Sequence, residues 1–126
     1  MRPHLLRMTA FGPFAGTVEI DLDRQLLLVV RGGQVVTVLN TSTGVPGRYD
    51  TPPGEFRVQR AIDGLRVAPL GELWRPRYFN GGIAVHGAND IPPVPASHGC
   101  CRVSTAAMDL LWSTGEMKMS RKVLVV

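Results

Sequence analysis

The chain has 126 residues, of which 44% are hydrophobic, and its two cysteines are adjacent, so we predict a single domain held by packing and not by a disulfide scaffold. Its formal net charge of +4 suits an anionic partner, but the basic residues are scattered and form no run interleaved with aromatic residues, which argues against nucleic acid. No apolar run is long enough to span a membrane, and the N-terminal residues 1–16, expected to be irregular, lack the continuous apolar stretch of a signal peptide.

The first half of the chain alternates apolar runs with turns. Val18, Ile20 and Leu22 alternate with acidic residues, a pattern that predicts a half-buried strand. The apolar runs at 26–30 and 34–39 are separated by an Arg-Gly-Gly turn. Because the turn is short and rich in glycine, we predict that these two runs form a hairpin.

The middle of the chain predicts shorter strands. Residues 56–60 and 65–67 flank an Asp-Gly turn and predict a second hairpin. Residues 83–85 predict a short strand that runs directly into His86. This histidine therefore lies at the end of a regular element.

One helix is clearly indicated. Ser104 is a favourable N-cap, residues 105–112 supply helix-forming types, and Gly115 is placed to end the helix. Three apolar residues of the helix are expected to face the core: Met108, Leu111 and Trp112. Residues 123–126 predict a closing strand. The fold class is thus mostly β, a sandwich or an open barrel with one main helix.

Two long segments rich in turn residues remain, at 40–54 and 87–99. Loops of this length in a small domain are usually functional. The second loop joins His86 to Cys100, within the run SHGCCR at 97–102. That run places a histidine and two cysteines between a loop and the predicted helix.

A metal or redox role for this run is disfavoured. Structural zinc is usually held by two ligand pairs, with two to four residues between the members of a pair. Adjacent cysteines diverge from an extended backbone, and the sequence has no CxxC pair of the kind that zinc sites and thiol redox enzymes use. We therefore predict no metal site.

Nucleophilic catalysis fits the residues better. Cys100 precedes a helix whose N-terminus is expected to favour a thiolate, and Gly99 allows close approach of a substrate. His86 and His98 are both candidate bases, and Arg102 is able to hold a carboxylate.

Each of these residues also has a purely structural interpretation. Cys101 fits a small core residue, because it follows Cys100 by one position and faces the other way. Either His86 or His98 could serve only to satisfy neighbouring carbonyl groups, and His4 is assigned no role. Only the joint arrangement favours a catalytic site.

The arrangement resembles a known family. IAVHG at 83–87 followed by SHGCCR at 97–102 resembles the signature of the L,D-transpeptidase catalytic domain, also called the YkuD domain. The segments NTSTG at 40–44 and TPPGEFRV at 51–58 agree in order, as do the helix and the last strand. The resemblance covers residues 17–126, which are expected to be the catalytic domain.

The resemblance implies a role for each residue of the motif. Cys100 would be the nucleophile, and His86 would be the base, oriented by the backbone carbonyl of Gly87. His98 would shape the pocket and assist proton transfer. Backbone N–H groups of residues 98–100, Gly99 among them, would stabilise the oxyanion. Ser97 would shape the loop. Arg102 would either support the site or hold a substrate carboxylate.

The implied reaction is acyl transfer on peptidoglycan stem peptides. Cys100 would attack the carbonyl between the third and fourth residues, D-alanine would leave, and an amine of a second stem would complete a 3→3 cross-link without a cofactor. The resemblance also implies covalent inhibition by carbapenems, a role in cell-wall biogenesis and cell shape, and a place in the cell wall or periplasm.

Rival functions remain open. Hydrolysis of the thioester would make the protein an L,D-carboxypeptidase, and loss of chemistry would leave a non-catalytic wall-binding module. A thiol-based metal sensor is a more distant alternative. The sequence also departs from the family pattern, since the loop between His86 and Ser97 holds only ten residues and a second thiol, Cys101, follows the nucleophile.

Overall fold

The computed structural model describes residues 16–69 and 71–126, which form two β-sheets and one helix. The predicted irregular segment 1–16 lies outside the described residues, apart from Gly16, which begins the first strand. In chain order the elements are β1 (Gly16–Asp21), β2 (Leu26–Arg31), β3 (Gln34–Asn40), β4 (Gly54–Arg57), β5 (Arg60–Ala61), β6 (Leu65–Ala68), β7 (Gly71–Asn80), β8 (Ile83–Ala88), β9 (Cys101–Ser104), α1 (Thr105–Thr114) and β10 (Lys122–Val125).

The first sheet, which we call the scaffold sheet, has the strand order β3-β2-β1-β10-β4. Strand β1 lies at its centre, antiparallel to β2 and parallel to β10. The prediction that β1 is half-buried is wrong, because Glu19 and Asp21 are also fully buried. Glu19 is in register with Leu28 and Leu124 of the neighbouring strands, so the second face of this sheet carries its own buried apolar cluster.

The hairpin of β2 and β3 is confirmed, whereas the second predicted hairpin is wrong. Strand β4 pairs with β10, while β5 and β6 both pair with β7. Packing explains the choice, since Phe56 of β4 contacts Phe79 of β7 in the core, with 5.6 Å between ring centroids. The sequence pattern missed β7 altogether, because its arginines and Pro76 interrupt the apolar alternation.

The second sheet, which we call the cleft sheet, has the order β5-β7-β8-β9, with β6 also paired to β7. Strands β7 and β8 are antiparallel, and β8 and β9 are parallel. The main core cluster joins buried residues of both sheets with those of the helix, among them Ile20, Phe79, Val103 and Met108. The predicted fold class, mostly β with one main helix after the cysteine run, is confirmed.

Helix α1 is the element that the sequence predicted best. The Ser104 side chain accepts a hydrogen bond from the Ala107 N–H at 3.0 Å, and Gly115 adopts the left-handed conformation at φ 73°. Met108 and Leu111 are buried, and Trp112 packs against the core. The helix therefore closes one end of the core directly after β9. Within residues 16–69 and 71–126, no helix is long and apolar enough to cross a membrane.

Candidate active site

Parallel pairing of β8 and β9 brings the two halves of the candidate site together. In this register His86 lies opposite Arg102, and Cys100 immediately precedes β9. These residues line a cleft of about 790 Å³ together with Ser97 and His98. The loop at 87–99 is thus the connection between two adjacent strands, and its length does not separate the residues at its ends.

Backbone groups hold the side chain of Cys100 in the lining of the cleft. Its sulfur accepts a hydrogen bond from the Ala84 N–H at 3.4 Å and lies 3.6 Å from the Gly82 carbonyl oxygen. Burial raises the pKa of the thiol, and the Ala84 N–H and the charge of Arg102 only partly oppose this. Attack on a carbonyl therefore requires that a base take the proton.

The sequence predicts that the helix favours a thiolate at Cys100, but burial has the larger effect on this thiol and raises its pKa. Helix α1 begins at Thr105, after the four residues of β9. Four residues of extended backbone span roughly 13 Å. The field of a helix end falls off within about one turn, so burial outweighs it.

His86 is suited to be that base. Its side chain is buried, and Nδ1 lies 2.8 Å from the carbonyl oxygen of Gly87. Because a carbonyl only accepts hydrogen bonds, Nδ1 carries a proton and Nε2 is left as the basic nitrogen. Burial lowers the pKa of His86, and the nearby charge of Arg102 lowers it further, whereas the Gly87 carbonyl raises it. The ring is therefore neutral at pH 7.

Gly87 is fixed in place by close packing. A Cβ atom at this position would lie 2.9 Å from Cδ1 of Trp74 and 3.1 Å from the Cα of Thr105. Trp74 is in turn held by a hydrogen bond of 2.8 Å from its indole N–H to Asp109 of the helix. Only glycine fits here, and the surrounding contacts hold the carbonyl that orients His86.

His98 occupies a different environment from His86. It is exposed, and its ring packs edge-on against Tyr49 with 4.3 Å between the ring centroids. Tyr49 belongs to the first long loop, so His98 joins the two loops at the rim of the cleft. The two candidate bases that sequence could not separate thus differ in burial and in partner.

Ser97 and Gly99 shape the backbone around Cys100. The Ser97 hydroxyl accepts a hydrogen bond from the Gly99 N–H at 3.2 Å and donates one to the carbonyl of Cys100. Gly99 has φ 121°, which side chains rarely adopt. The Gly99 N–H is thus already paired, whereas the N–H groups of His98 and Cys100 have no hydrogen-bond partner within residues 16–69 and 71–126.

Arg102 lies half-buried in the wall of the cleft. Its Nη2 is 3.4 Å from the carbonyl of Ala96, and its backbone forms a two-way bridge with Ser42. Its charge is close enough to lower the pKa of both His86 and Cys100. Arg102 is therefore placed to favour a neutral histidine and to attract an anionic group in the cleft.

Cys101 faces the opposite way from Cys100 and belongs to the core cluster. It is fully buried, and this burial, together with the neighbouring Cys100, raises the pKa of its thiol. Both cysteines are free. No group of three or more potential metal ligands occurs among the described residues.

Sequence reasoning did not single out Thr51 and Trp74. Thr51 donates a hydrogen bond of 2.6 Å to the carbonyl of Gly99, and Trp74 covers Gly87. The run TPPG at 51–54 is part of the resemblance to the family, but it assigns no role to Thr51. Trp74 lies in β7, which the apolar alternation does not predict. A threonine followed by two prolines in a long loop was the signal available for Thr51.

Comparison with known proteins agrees with this geometry. The family model described as the L,D-transpeptidase catalytic domain matches residues 15–125. The chain belongs to this family. The L,D-transpeptidase from Xylanimonas cellulosilytica is 45% identical, with a TM-score of 0.84 over 91% of this chain and 62% of that one. The L,D-transpeptidase from Stackebrandtia nassauensis is 26% identical, with a TM-score of 0.77 over 89% of this chain and 55% of that one.

The fold extends to more distant L,D-transpeptidases. L,D-transpeptidase 3 from Mycobacterium tuberculosis, solved with a faropenem-derived adduct, is 21% identical, with a TM-score of 0.71 over 88% of this chain and 60% of that one. No curated protein sequence matches the chain. The chain spans only 55% to 62% of the length of these three structures.

Proposed function

We propose that this domain is a cysteine acyltransferase that forms 3→3 cross-links between peptidoglycan stem peptides. The observation that supports the proposal is the parallel pairing of β8 and β9, because His86, bonded to the Gly87 carbonyl, and the partly buried Cys100 line the same cleft. Membership of the L,D-transpeptidase family supports the same reaction.

In the first step, Nε2 of His86 takes the thiol proton as the Cys100 sulfur bonds to the carbonyl carbon of the third stem residue. His86 then gives this proton to the nitrogen of the departing D-alanine as the C–N bond breaks. A thioester on Cys100 remains. A neutral imidazole and an un-ionised thiol are the starting forms that this transfer needs.

In the second step, an amine of another stem attacks the thioester carbon. His86 takes the proton of the amine and returns it to the sulfur as the C–S bond breaks, so no redox partner is required. The N–H groups of His98 and Cys100 are the proposed oxyanion donors. Water in place of the amine would release a free stem instead, which is the carboxypeptidase reaction.

The lining of the cleft suits a peptide that carries carboxylates. Three arginines line it, Arg60, Arg66 and Arg102, against two acidic residues, Glu72 and Asp90. Apolar surface comes from Leu65, Trp74 and Tyr78. The Arg60 guanidinium stacks 3.9 Å above the ring of Tyr78, which fixes one of these charges in the wall. A stem peptide is an extracytoplasmic substrate, so we propose that the domain acts in the cell wall or periplasm.

The proposal is tested by mass spectrometry of the protein treated with a carbapenem, since the acyl step should open a β-lactam ring in the same way. The complex of the mycobacterial relative with an adduct derived from faropenem, another β-lactam, supports this choice. We expect a single adduct on the wild type and on Cys101→Ala, and none on Cys100→Ala. Cys101→Ala is the matched control because it removes the adjacent thiol from the core.

A second measurement decides whether an amine or water accepts the acyl group from Cys100. The protein is incubated with a tetrapeptide stem in the presence of an amine-bearing stem, and the products are separated by mass. Release of D-alanine with a cross-linked dimer would support the transpeptidase. Release of D-alanine with only the shortened stem as product would indicate the carboxypeptidase. A protein that forms no carbapenem adduct and releases no D-alanine would be a wall-binding module.

A further inference from the structure

The side chain of Thr51 contacts the backbone next to the nucleophile from inside the protein. Thr51 is buried, and its hydroxyl donates to the carbonyl oxygen of Gly99 at 2.6 Å while accepting from the N–H of Gly44 at 3.0 Å. The residues that line the cleft do not include Thr51. It therefore acts on the site without touching what binds there.

The Gly99 carbonyl and the Cys100 N–H belong to one peptide group. That group is planar and trans, so its C=O and N–H point in opposite directions. Thr51 draws the carbonyl toward the protein interior, which turns the Cys100 N–H toward the cleft. Gly99, at φ 121°, has no Cβ to restrict this peptide plane, so an external contact is needed to hold it.

A second hydroxyl restrains the peptide groups on either side. Ser97 accepts the Gly99 N–H and donates to the Cys100 carbonyl. Thr51 and Ser97 thus form hydrogen bonds with three of the four polar backbone groups of Gly99 and Cys100: the Gly99 N–H, the Gly99 carbonyl and the Cys100 carbonyl. One group remains, the Cys100 N–H, for which the described part of the chain offers no hydrogen-bond partner.

We propose that Thr51 is a positioning residue, which holds the Cys100 N–H as the oxyanion donor by fixing the Gly99 carbonyl. The inference rests on the proposed acyl transfer, because an oxyanion develops only when a carbonyl is attacked. An N–H that is fixed before reaction stabilises the developing charge without reorganisation. Loss of the Thr51 hydroxyl frees the peptide plane and weakens that stabilisation.

Two reagents separate this role from any effect on the thiol. A carbapenem reacts through a tetrahedral oxyanion, whereas iodoacetamide reacts at a saturated carbon, where the sulfur displaces iodide and no oxyanion forms. Both rates at Cys100 are measured by mass spectrometry on the wild type, Thr51→Val and Thr51→Ser. We expect Thr51→Val to slow acylation by about 10–100-fold, part of the loss seen on deleting an oxyanion donor, with the alkylation rate unchanged. Thr51→Ser, which keeps the hydroxyl, should restore acylation.

A matched variant controls for loss of a buried hydroxyl. Thr43 is also buried, and its hydroxyl accepts a hydrogen bond from the side-chain amide of Gln25 at 2.7 Å, whereas the Gly99 carbonyl is bound by Thr51. Thr43→Val should change the melting temperature about as much as Thr51→Val and leave acylation as in the wild type. If Thr43→Val slows acylation equally, the effect is general destabilisation and the inference is wrong.

The remaining outcomes are also decisive. Equal slowing of acylation and alkylation in Thr51→Val would show that Thr51 acts on the thiol or on His86, which contradicts the inference. Unchanged acylation in Thr51→Val, with a reactive wild type, overturns the inference alone. A wild type that is alkylated at Cys100 but never acylated overturns the proposed function, and the inference with it.

Discussion

The scaffold sheet and the cleft sheet differ in how regularly their strands pair. Between β1 and β2 six consecutive residue pairs are in register, and the β1–β10 pairing is likewise continuous. The β2–β3 register shifts once, between Val29 and Val30. In the cleft sheet the β7–β8 register shifts twice, and Arg75 there has φ 48°. The candidate chemistry lies beside the irregular pairing, where backbone groups of β8 and the turn before it contact Cys100 and His86.

The difference shows how one small domain combines a stable sheet with a reactive one. Regular pairing uses every backbone N–H and C=O for the ladder, which stabilises the sheet but leaves no group for a substrate or a side chain. The shifts in register between β7 and β8 release such groups in the cleft sheet. We therefore expect substitutions in the cleft sheet to change reactivity, and those in the scaffold sheet to change stability.

The largest expected effect is that of His86→Gln. Glutamine keeps a polar side chain near Gly87 but has no basic nitrogen, so acylation by a carbapenem should fall by about 10²–10⁴-fold, the range for loss of a general base. The melting temperature should change little in comparison. Rates from stopped-flow or quenched mass spectrometry check this, and a variant that keeps the wild-type rate would exclude His86 as the base.

The pH dependence of the wild type sharpens the same prediction. Since burial lowers the pKa of His86 below its usual 6.5, the acid limb of the acylation rate should lie below pH 6.5. The unfolded state binds the proton more readily than the folded state, so the contribution of His86 to stability falls as pH drops through 6.5. An acid limb above 6.5 would contradict the assignment.

A core substitution in the scaffold sheet should give the opposite result. Ile20 is fully buried in the main core cluster, so Ile20→Ala should lower the free energy of unfolding by about 2–5 kcal/mol. Urea unfolding measures this loss, and the acylation rate of the folded fraction should match that of the wild type. A slower rate in the folded protein would mean that the two sheets are coupled.

The smallest expected effect lies where the cleft sheet meets the helix. Ser104→Ala removes the N-cap hydrogen bond to Ala107 and should cost about 1 kcal/mol of stability. Ser113→Ala is the matched control, because Ser113 is an exposed serine of the same helix whose hydroxyl does not cap it. Equal melting temperatures for the two variants would show that the cap contributes nothing.

Local signals in the sequence predicted the helix and the first hairpin. Ser104 and Gly115 define helix ends by their own chemistry, and the Arg-Gly-Gly turn joins two strands that are close in sequence. Pairing between distant segments was not predictable in this way. Strand β4 pairs with β10, more than sixty residues later, because Phe56 is drawn to the core beside Phe79.

The residues of the candidate site also differ in whether local sequence signals predict them. The motif quoted from the sequence contained His86, Ser97 and Cys100, because their types and spacing are local. Contacts with Thr51 and Trp74 arise only when the first long loop and β7 meet the cleft. The protonation of Cys100 was also out of reach, since it depends on burial and not on the distance to the helix along the chain.

The connection between β8 and β9 has a consequence for how such domains diversify. Sheet pairing fixes the strands next to His86 and Cys100, and Ser42 and Arg102 bind the carbonyls of Val94 and Ala96. Insertions are therefore best accommodated within residues 89–93, where doubling a flexible loop costs only about 0.6 kcal/mol. Insertions at this place would reshape the entrance and change which acceptors are admitted without moving the reactive pair. Changes in this one connection would therefore alter the choice of acceptor separately from the reactivity of Cys100.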